Sequence, residues 1–180
     1  MKLERISGPE GVFLTREQIK AHLRVLHDDE DELIDALGDT AMAHIDGIRG
    51  VLGRCIQPQE WRLTYEDGFS GGCIRLPFPG VGDAAAVWRD EAGDPQEAEI
   101  RRMDCGIWTE VIVTAPPGRA VEITFTASTP EDVWPAIRTA MLLLIGHWYR
   151  NREAVAVDAR FDTLPFAVRS LLSPLKVHWV

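Results

Sequence analysis

Between Trp61 and Thr126 apolar and polar residues alternate, whereas on either side apolar residues return every third or fourth position. A period of two puts one face of a strand against a core; a period near 3.6 does the same for a helix. A chain that keeps the two periods in separate blocks folds as α+β. In the middle block Trp61, Leu63 and Tyr65 alternate with Arg62, Thr64 and Glu66. Residues 73–76 form a short strand that Pro77 and Pro79 stop. Further strands are expected at 84–89, 97–103 and 107–114, with EAGD as a hairpin turn. Val121, Ile123 and Phe125, alternating with Glu122, Thr124 and Thr126, close the region. Six short strands with no helix between them imply a small antiparallel sheet or barrel-like subdomain.

The flanking blocks are helical. Residues 1–13 are expected to be a loose or extended arm. Thr15 then starts a short helix, with Gln18 three residues on as its reciprocal capping partner. The turn HDDED follows, and Asp28 or Asp29 is expected to cap a second helix. Leu33, Leu37, Ala41, Ile45, Ile48 and Leu52 make a stripe of about five turns. Asp35 and Asp39 lie off that stripe, one turn apart, as solvated surface. The long C-terminal helix begins at Pro135, which costs nothing in a first turn. A start at Thr129 competes but places Pro135 inside the helix. From Ala140 to Ile145 this helix is apolar on every face. One face packs on its own domain and another subunit is expected to cover the other. Met141, Leu143, Leu144, Trp148, Arg150 and Arg152 are the expected subunit interface. Residues 155–163 are a link. Pro165 introduces a short helix bearing Val168, Leu171 and Leu172, Pro174 stops it, and the tail LKVHWV is extended and apolar.

The expected architecture is thus a helical core of two N-terminal helices and the long C-terminal helix, with an inserted antiparallel β subdomain and an extended C-terminal arm. The segments divide at 1–54, 55–128, 129–163 and 164–180. The 180 residues suffice for a sizeable core. A net charge of -9 disfavours binding to a phosphate backbone, which needs clustered cations. Cys55, Cys73 and Cys105 are widely spaced, so reduced thiols are expected, and no segment reads as a signal peptide or a membrane span.

Chemistry finds little support. The histidines His22, His27, His44, His147 and His178 have no metal-ligand spacing, and DDEDE lacks the alternating ligands of a calcium loop. FSGGC and FPGVG are glycine turns between strands, not phosphate cradles, and no nucleophile elbow occurs. No catalytic, cofactor-binding or metal-binding residues are expected. Trp61 belongs to the core, and Trp148 to the core or an interface. Trp179, next to the terminus, requires the tail to dock.

The pieces LTREQIKAHLRV and HDDEDELI, QPQEWRLTYEDGF, IRLPFPGV, VEITFTA, WPAIRTAMLLLIGHWYRNREAV and LPFAVRSLLSPLKV follow one another along the chain. In them the sequence resembles the head–tail connector (adaptor) proteins of long-tailed phages, in the subgroup with a β-rich insertion. It looks most like the head–tail adaptor of alphaproteobacterial gene transfer agents. The glycine-rich stretch at 70–72 and the middle strands depart from that pattern. The resemblance implies a structural protein, not an enzyme, that forms a ring of twelve copies beneath the portal and extends the DNA channel. It implies the portal and a stopper or tail-completion protein as partners, with double-stranded DNA passing through without specific binding and no membrane partner. It places the protein at the head–tail junction of a phage-like particle, and in the producing cell's cytoplasm beforehand. The C-terminal segment would contact the portal. The docking arm is therefore expected at Leu164, Phe166, Val168, Leu171, Leu172, Leu175, Val177 and Trp179. The alternatives are a generic homo-oligomeric module and a single-strand binder using the sheet tryptophans.

Overall fold

The computed structural model describes residues 1–69, 71–151 and 165–177. They form seven strands and four helices, an α+β fold with a β subdomain. The strands are β1 (Lys2–Ser7), β2 (Gln59–Phe69), β3 (Gly72–Arg75), β4 (Val81–Arg89), β5 (Pro95–Asp104), β6 (Thr109–Thr114) and β7 (Arg119–Ala127). The helices are α1 (Arg16–Leu23), α2 (Asp31–Ile45), α3 (Trp134–Arg150) and α4 (Phe166–Leu172). The chain divides into two compact units. One comprises Met1–Glu10 and Arg54–Pro130, the other Gly11–Gly53 and Glu131–Val180.

The sheet unit has the strand order β1-β2-β7-β4-β5-β6-β3, and every pairing is antiparallel. Alternation sets its register, because a one-residue slip would turn the apolar set outward. Trp61 pairs with Phe125, Leu63 with Ile123 and Tyr65 with Val121. These side chains point to the core face with Leu76, Phe78, Val111 and Val113. The Phe78 ring centroid lies 4.8 Å from that of Trp61 and 6.5 Å from that of Phe125. The EAGD hairpin forms between β4 and β5, where Asp90 Oδ1 accepts from the Ala92 and Asp94 N–H groups.

Of the loose or extended arm expected over residues 1–13, the extended alternative holds for Lys2–Ser7. Lys2–Ser7 is not a loose arm but the edge strand of the sheet, paired with β2 from Lys2↔Thr64 to Ser7↔Glu60. The strand is mostly exposed, so its sequence carries no alternation to read. Lys2 and Glu4 form an ion pair of 2.7 Å. Charges of this kind discourage a further strand from adding to an edge.

In the helical unit, α1, α2 and α3 pack on one another, and α4 packs on α3. The capping box forms as expected: Thr15 Oγ1 accepts from Gln18 N, and Gln18 Oε1 accepts from Thr15 N. The second helix departs from expectation at both ends. Glu30, not Asp28 or Asp29, occupies the cap position and makes no side-chain capping bond. The apolar stripe predicts five turns to Leu52, but α2 stops at Ile45. Gly47 takes φ 77, the left-handed conformation that ends a helix cheaply. The chain then folds back, with Val51 N donating to His44 O and Leu52 N to Ile45 O. Leu52 is thereby buried although it is no longer helical, while Ile48 is exposed. In α3 the first residue is Trp134, with Pro135 in the first turn and a 3-10 turn (Glu131–Val133) leading in.

Candidate assembly site

The residues expected to serve assembly lie on α3 and α4, and three contacts position them. The first seats α1. Gly146 of α3 leaves room beside which His22 and Leu23 lie, and Gly38 of α2 does the same for Ile19. At Gly38 an added methyl would stand 3.1 Å from Ile19 Cδ1. The small residue at Gly38 lets α1 and α2 approach closely, whereas a methyl at Gly146 would make only ordinary contact, 3.4 Å from His22 Nε2.

The second contact is an ionic clasp between α1 and α2. Arg16 Nη1 donates to Asp31 at 3.0 Å, and Arg16 Nε donates to Asp35 at 2.9 Å. Lys20 Nζ donates to Asp28 at 2.6 Å and to Asp31 at 2.7 Å. Hydrogen bonding to Arg16 holds the Asp35 carboxyl below its ordinary range, and Lys20 does the same for Asp28. In return, hydrogen bonds to Asp35 raise Arg16, and hydrogen bonds to Asp28 and Asp31 raise Lys20. Asp35 lies at the surface as its spacing from Asp39 implies, its side chain 42% exposed, but it is ion-paired there. Its partner lies on the preceding helix.

The third contact fixes α3 along its length. Near its start, the Trp134 ring meets Phe13 edge-on at 5.5 Å, and the Arg138 guanidinium lies 5.0 Å from the Phe13 centroid. At its end the Tyr149 hydroxyl donates to Glu30, and Trp148 meets His44 edge-on at 5.9 Å. These stacking and ion-pair partners were not foreseen from the sequence. Arg16 and Lys20, one turn apart and followed by an acidic run, were the available signal.

On this scaffold the expected interface residues separate by accessibility. Met141 and Leu144 are buried inside the chain, Leu143 and Trp148 are half-buried, and Arg150 is exposed. Arg152 lies outside the described residues. In this conformation a second copy could reach Leu143, Trp148 and Arg150, while Met141 and Leu144 pack the helical unit itself. The uniformly apolar stretch of α3 is explained in large part by this packing, since helices lie on several of its sides.

The expected docking arm separates likewise. Val168 and Leu172 are buried, Leu171, Leu175 and Val177 are half-buried, and Phe166 is 86% exposed. Val177 N donates to Leu52 O at 2.8 Å. Residues 165–177 thus lie folded on their own unit. Leu164, Trp179 and the expected link at 155–163 lie outside the described residues. Among the described residues no group of three His, Cys, Asp or Glu side chains is placed to hold a metal ion. No described helix is long and apolar enough to cross a membrane.

No protein-family model matches the chain, and no curated protein matches it. Solved structures do. A chain from the neck of an empty gene transfer agent (GTA) particle, computed with C6 symmetry, superposes with a TM-score of 0.73 at 24% identity. A chain from the virion of a native GTA particle gives 0.71 at 24% identity. A chain from the neck of a native GTA particle, computed with C12 symmetry, gives 0.68 at 23%. Each likeness covers 100% of this chain and 97% of the other. At these identities the likeness establishes a shared fold over the whole length.

Proposed function

We propose that this chain is a head–tail connector of a phage-like gene transfer particle. In this reading it forms a ring, of twelve copies, between the portal and a stopper or tail-completion protein, and the ring lengthens the DNA channel. One observation carries the proposal: the whole chain, both units included, shares its fold with chains of GTA particles. Necks computed with C6 and C12 symmetry fit a twelve-copy ring. A closed ring holds each subunit on two sides, so a moderate interface becomes strong. The net charge of -9 suits a wall past which DNA slides without sticking.

Within the ring, Leu143, Trp148 and Arg150 serve the subunit contact. Phe166, Leu171 and Leu175 face the portal from α4 and the turn after it, with Val168 and Leu172 anchoring that segment to α3. The test is co-sedimentation with DNA-filled, portal-bearing heads that lack the protein. The full chain is expected to sediment with the heads at twelve copies each. Chain truncated after Ser173 is expected to stay folded and remain in the supernatant. Normal incorporation of the truncated protein refutes the docking role of the residues after Ser173, and no incorporation of the full chain refutes the connector.

A further inference from the structure

The outward face of the sheet unit is not uniform. On β2, β7 and β4 it carries Thr64, Thr124 and Thr126 beside Ala85 and Val87, with Glu122 at the centre of a cluster of opposite charges. Glu122 takes Arg89 at 2.9 Å and Arg62 at 3.7 Å. On β5, β6 and β3 the composition changes. Antiparallel register places Arg101, Ile112 and Cys73 in one cross-strand row and Met103, Glu110 and Arg75 in the next. Directly paired residues share a face. It is the outward one, because the alternate residues Val111, Val113 and Ile74 are buried in the core. Glu97 and Glu99 continue this face along β5, since positions 97, 99, 101 and 103 keep the same parity.

Charge on this face is unevenly placed: Glu97 and Glu99 stand at one end of β5, Arg101 follows Glu99 on the same face, and Arg75 lies on β3 with Glu110 directly opposite it. From 90 to 99 the chain carries Asp90, Glu91, Asp94, Glu97 and Glu99 and no cation. Asp90 is spent capping its own hairpin and Glu91 pairs with Arg119. Glu97 and Glu99 stand exposed with no ion pair among the described residues. At the other end Arg75 and Arg101 are also exposed, and neither has a carboxylate partner among the described residues. Arg75 lies over the Trp108 ring at 4.7 Å instead. Glu110, between them, already accepts from Trp108 Nε1 at 3.1 Å and from the Cys73 thiol at 3.2 Å. Beside Trp108, Ile107 is 68% exposed at the β5–β6 turn, and Met103 and Ile112 are half-buried on the same face.

We infer that the outer face of β5, β6 and β3 is a contact surface for a second copy of this chain, met face to face about a two-fold axis. An isologous contact requires a self-complementary patch. Here the acidic end of one copy, Glu97 and Glu99, meets the cationic end of the other, Arg75 and Arg101, and the reverse pairing follows by symmetry. Tryptophan, arginine and methionine are the residues on which interface energy concentrates, and Ile107 and Trp108 supply the apolar centre. The unevenly placed charges fix orientation and reject a parallel arrangement, which would set like charges opposite each other. This surface uses none of the residues assigned to the portal or to the α3 contact. It also stands independently of the neck reading.

The experiment uses the full chain, reduced, in sedimentation equilibrium at low ionic strength. The native chain is expected to self-associate, and added salt is expected to weaken it. Arg75→Glu/Arg101→Glu and Glu97→Arg/Glu99→Arg each place like charges at all four pairs of the two-fold contact. Either variant alone should associate about tenfold or more weakly than the native chain. Mixed together, the two restore every pair with opposite sign and should recover association to near the native level. Ile107→Ser, a turn substitution that leaves the strands intact, should weaken association without changing the thermal midpoint. A native chain whose sedimentation is independent of concentration up to millimolar protein overturns the inference. So do variants that associate like the native chain, or a mixture that fails to recover. Because no particle is involved, such a failure leaves the connector proposal standing, and the reverse also holds.

Discussion

The sheet unit and the helical unit are built to different rules. In the sheet unit one apolar face is shared by many strands, and long runs of backbone hydrogen bonds fix the register. In the helical unit α1 has eight residues and a single fully buried side chain, Ile19. A helix that short is not stable by itself. It is held by a capping box, an ionic clasp and the close seat that Gly38 of α2 gives Ile19. The first design distributes stability over area, whereas the second rests it on a few identifiable groups.

Substitutions should separate the two. The largest effect is expected in the sheet. Phe78 is fully buried between Trp61 and Phe125, and Phe78→Ala should lower unfolding stability by about 3–5 kcal/mol in a denaturant titration. In the helical unit, Thr15→Ala removes the acceptor for Gln18 N and should cost about 1 kcal/mol, with faster hydrogen exchange confined to α1. Equal acceleration throughout the sheet would show that the two units do not differ in this way.

The next effect is set by pH. Asp28 and Asp35 have folded pKa values below the ordinary 3.8, so their contribution is fully present above that value and is lost as pH falls through the lowered folded values. Lys20 is raised above 10.5, so its contribution is present below 10.5 and is lost only as pH rises through its raised value. Between those limits the clasp is constant. On acidification below about pH 4, exchange in α1 should accelerate, after correction for intrinsic rates, before exchange in β2 and β7. Simultaneous loss in both would contradict the distinction. The smallest effect is a gain. A methyl added at Gly146 meets nothing closer than 3.4 Å, so Gly146→Ala should raise stability by up to about 1 kcal/mol through helix propensity.

The same contrast explains what the sequence disclosed. Strands β2 and β7 were legible because alternate burial writes itself into Trp61-Leu63-Tyr65 and Val121-Ile123-Phe125. The capping box was legible because it is local. Strand β1 was not, since an exposed edge strand such as KLERIS has no buried set to pattern it. The end of α2 was misread because Ile48 and Leu52 continue the apolar spacing while Gly47 reverses the backbone. The pairing of surface Asp35 was not legible because its partner Arg16 lies nineteen residues away. Of the residues expected to serve assembly, Phe166 and Arg150 are accessible, whereas Met141, Leu144, Val168 and Leu172 are buried within the chain. An apolar stripe specifies that something covers it, not whether the cover belongs to the same chain.

The most direct test of the connector proposal is electron cryo-microscopy of portal-bearing, DNA-filled heads that lack this protein, imaged after incubation with the purified chain. The account predicts a closed ring of additional density beneath the portal, fitted by this fold, with residues 165–177 against the portal. Heads that show no added density, under conditions in which they still join tails, would contradict it.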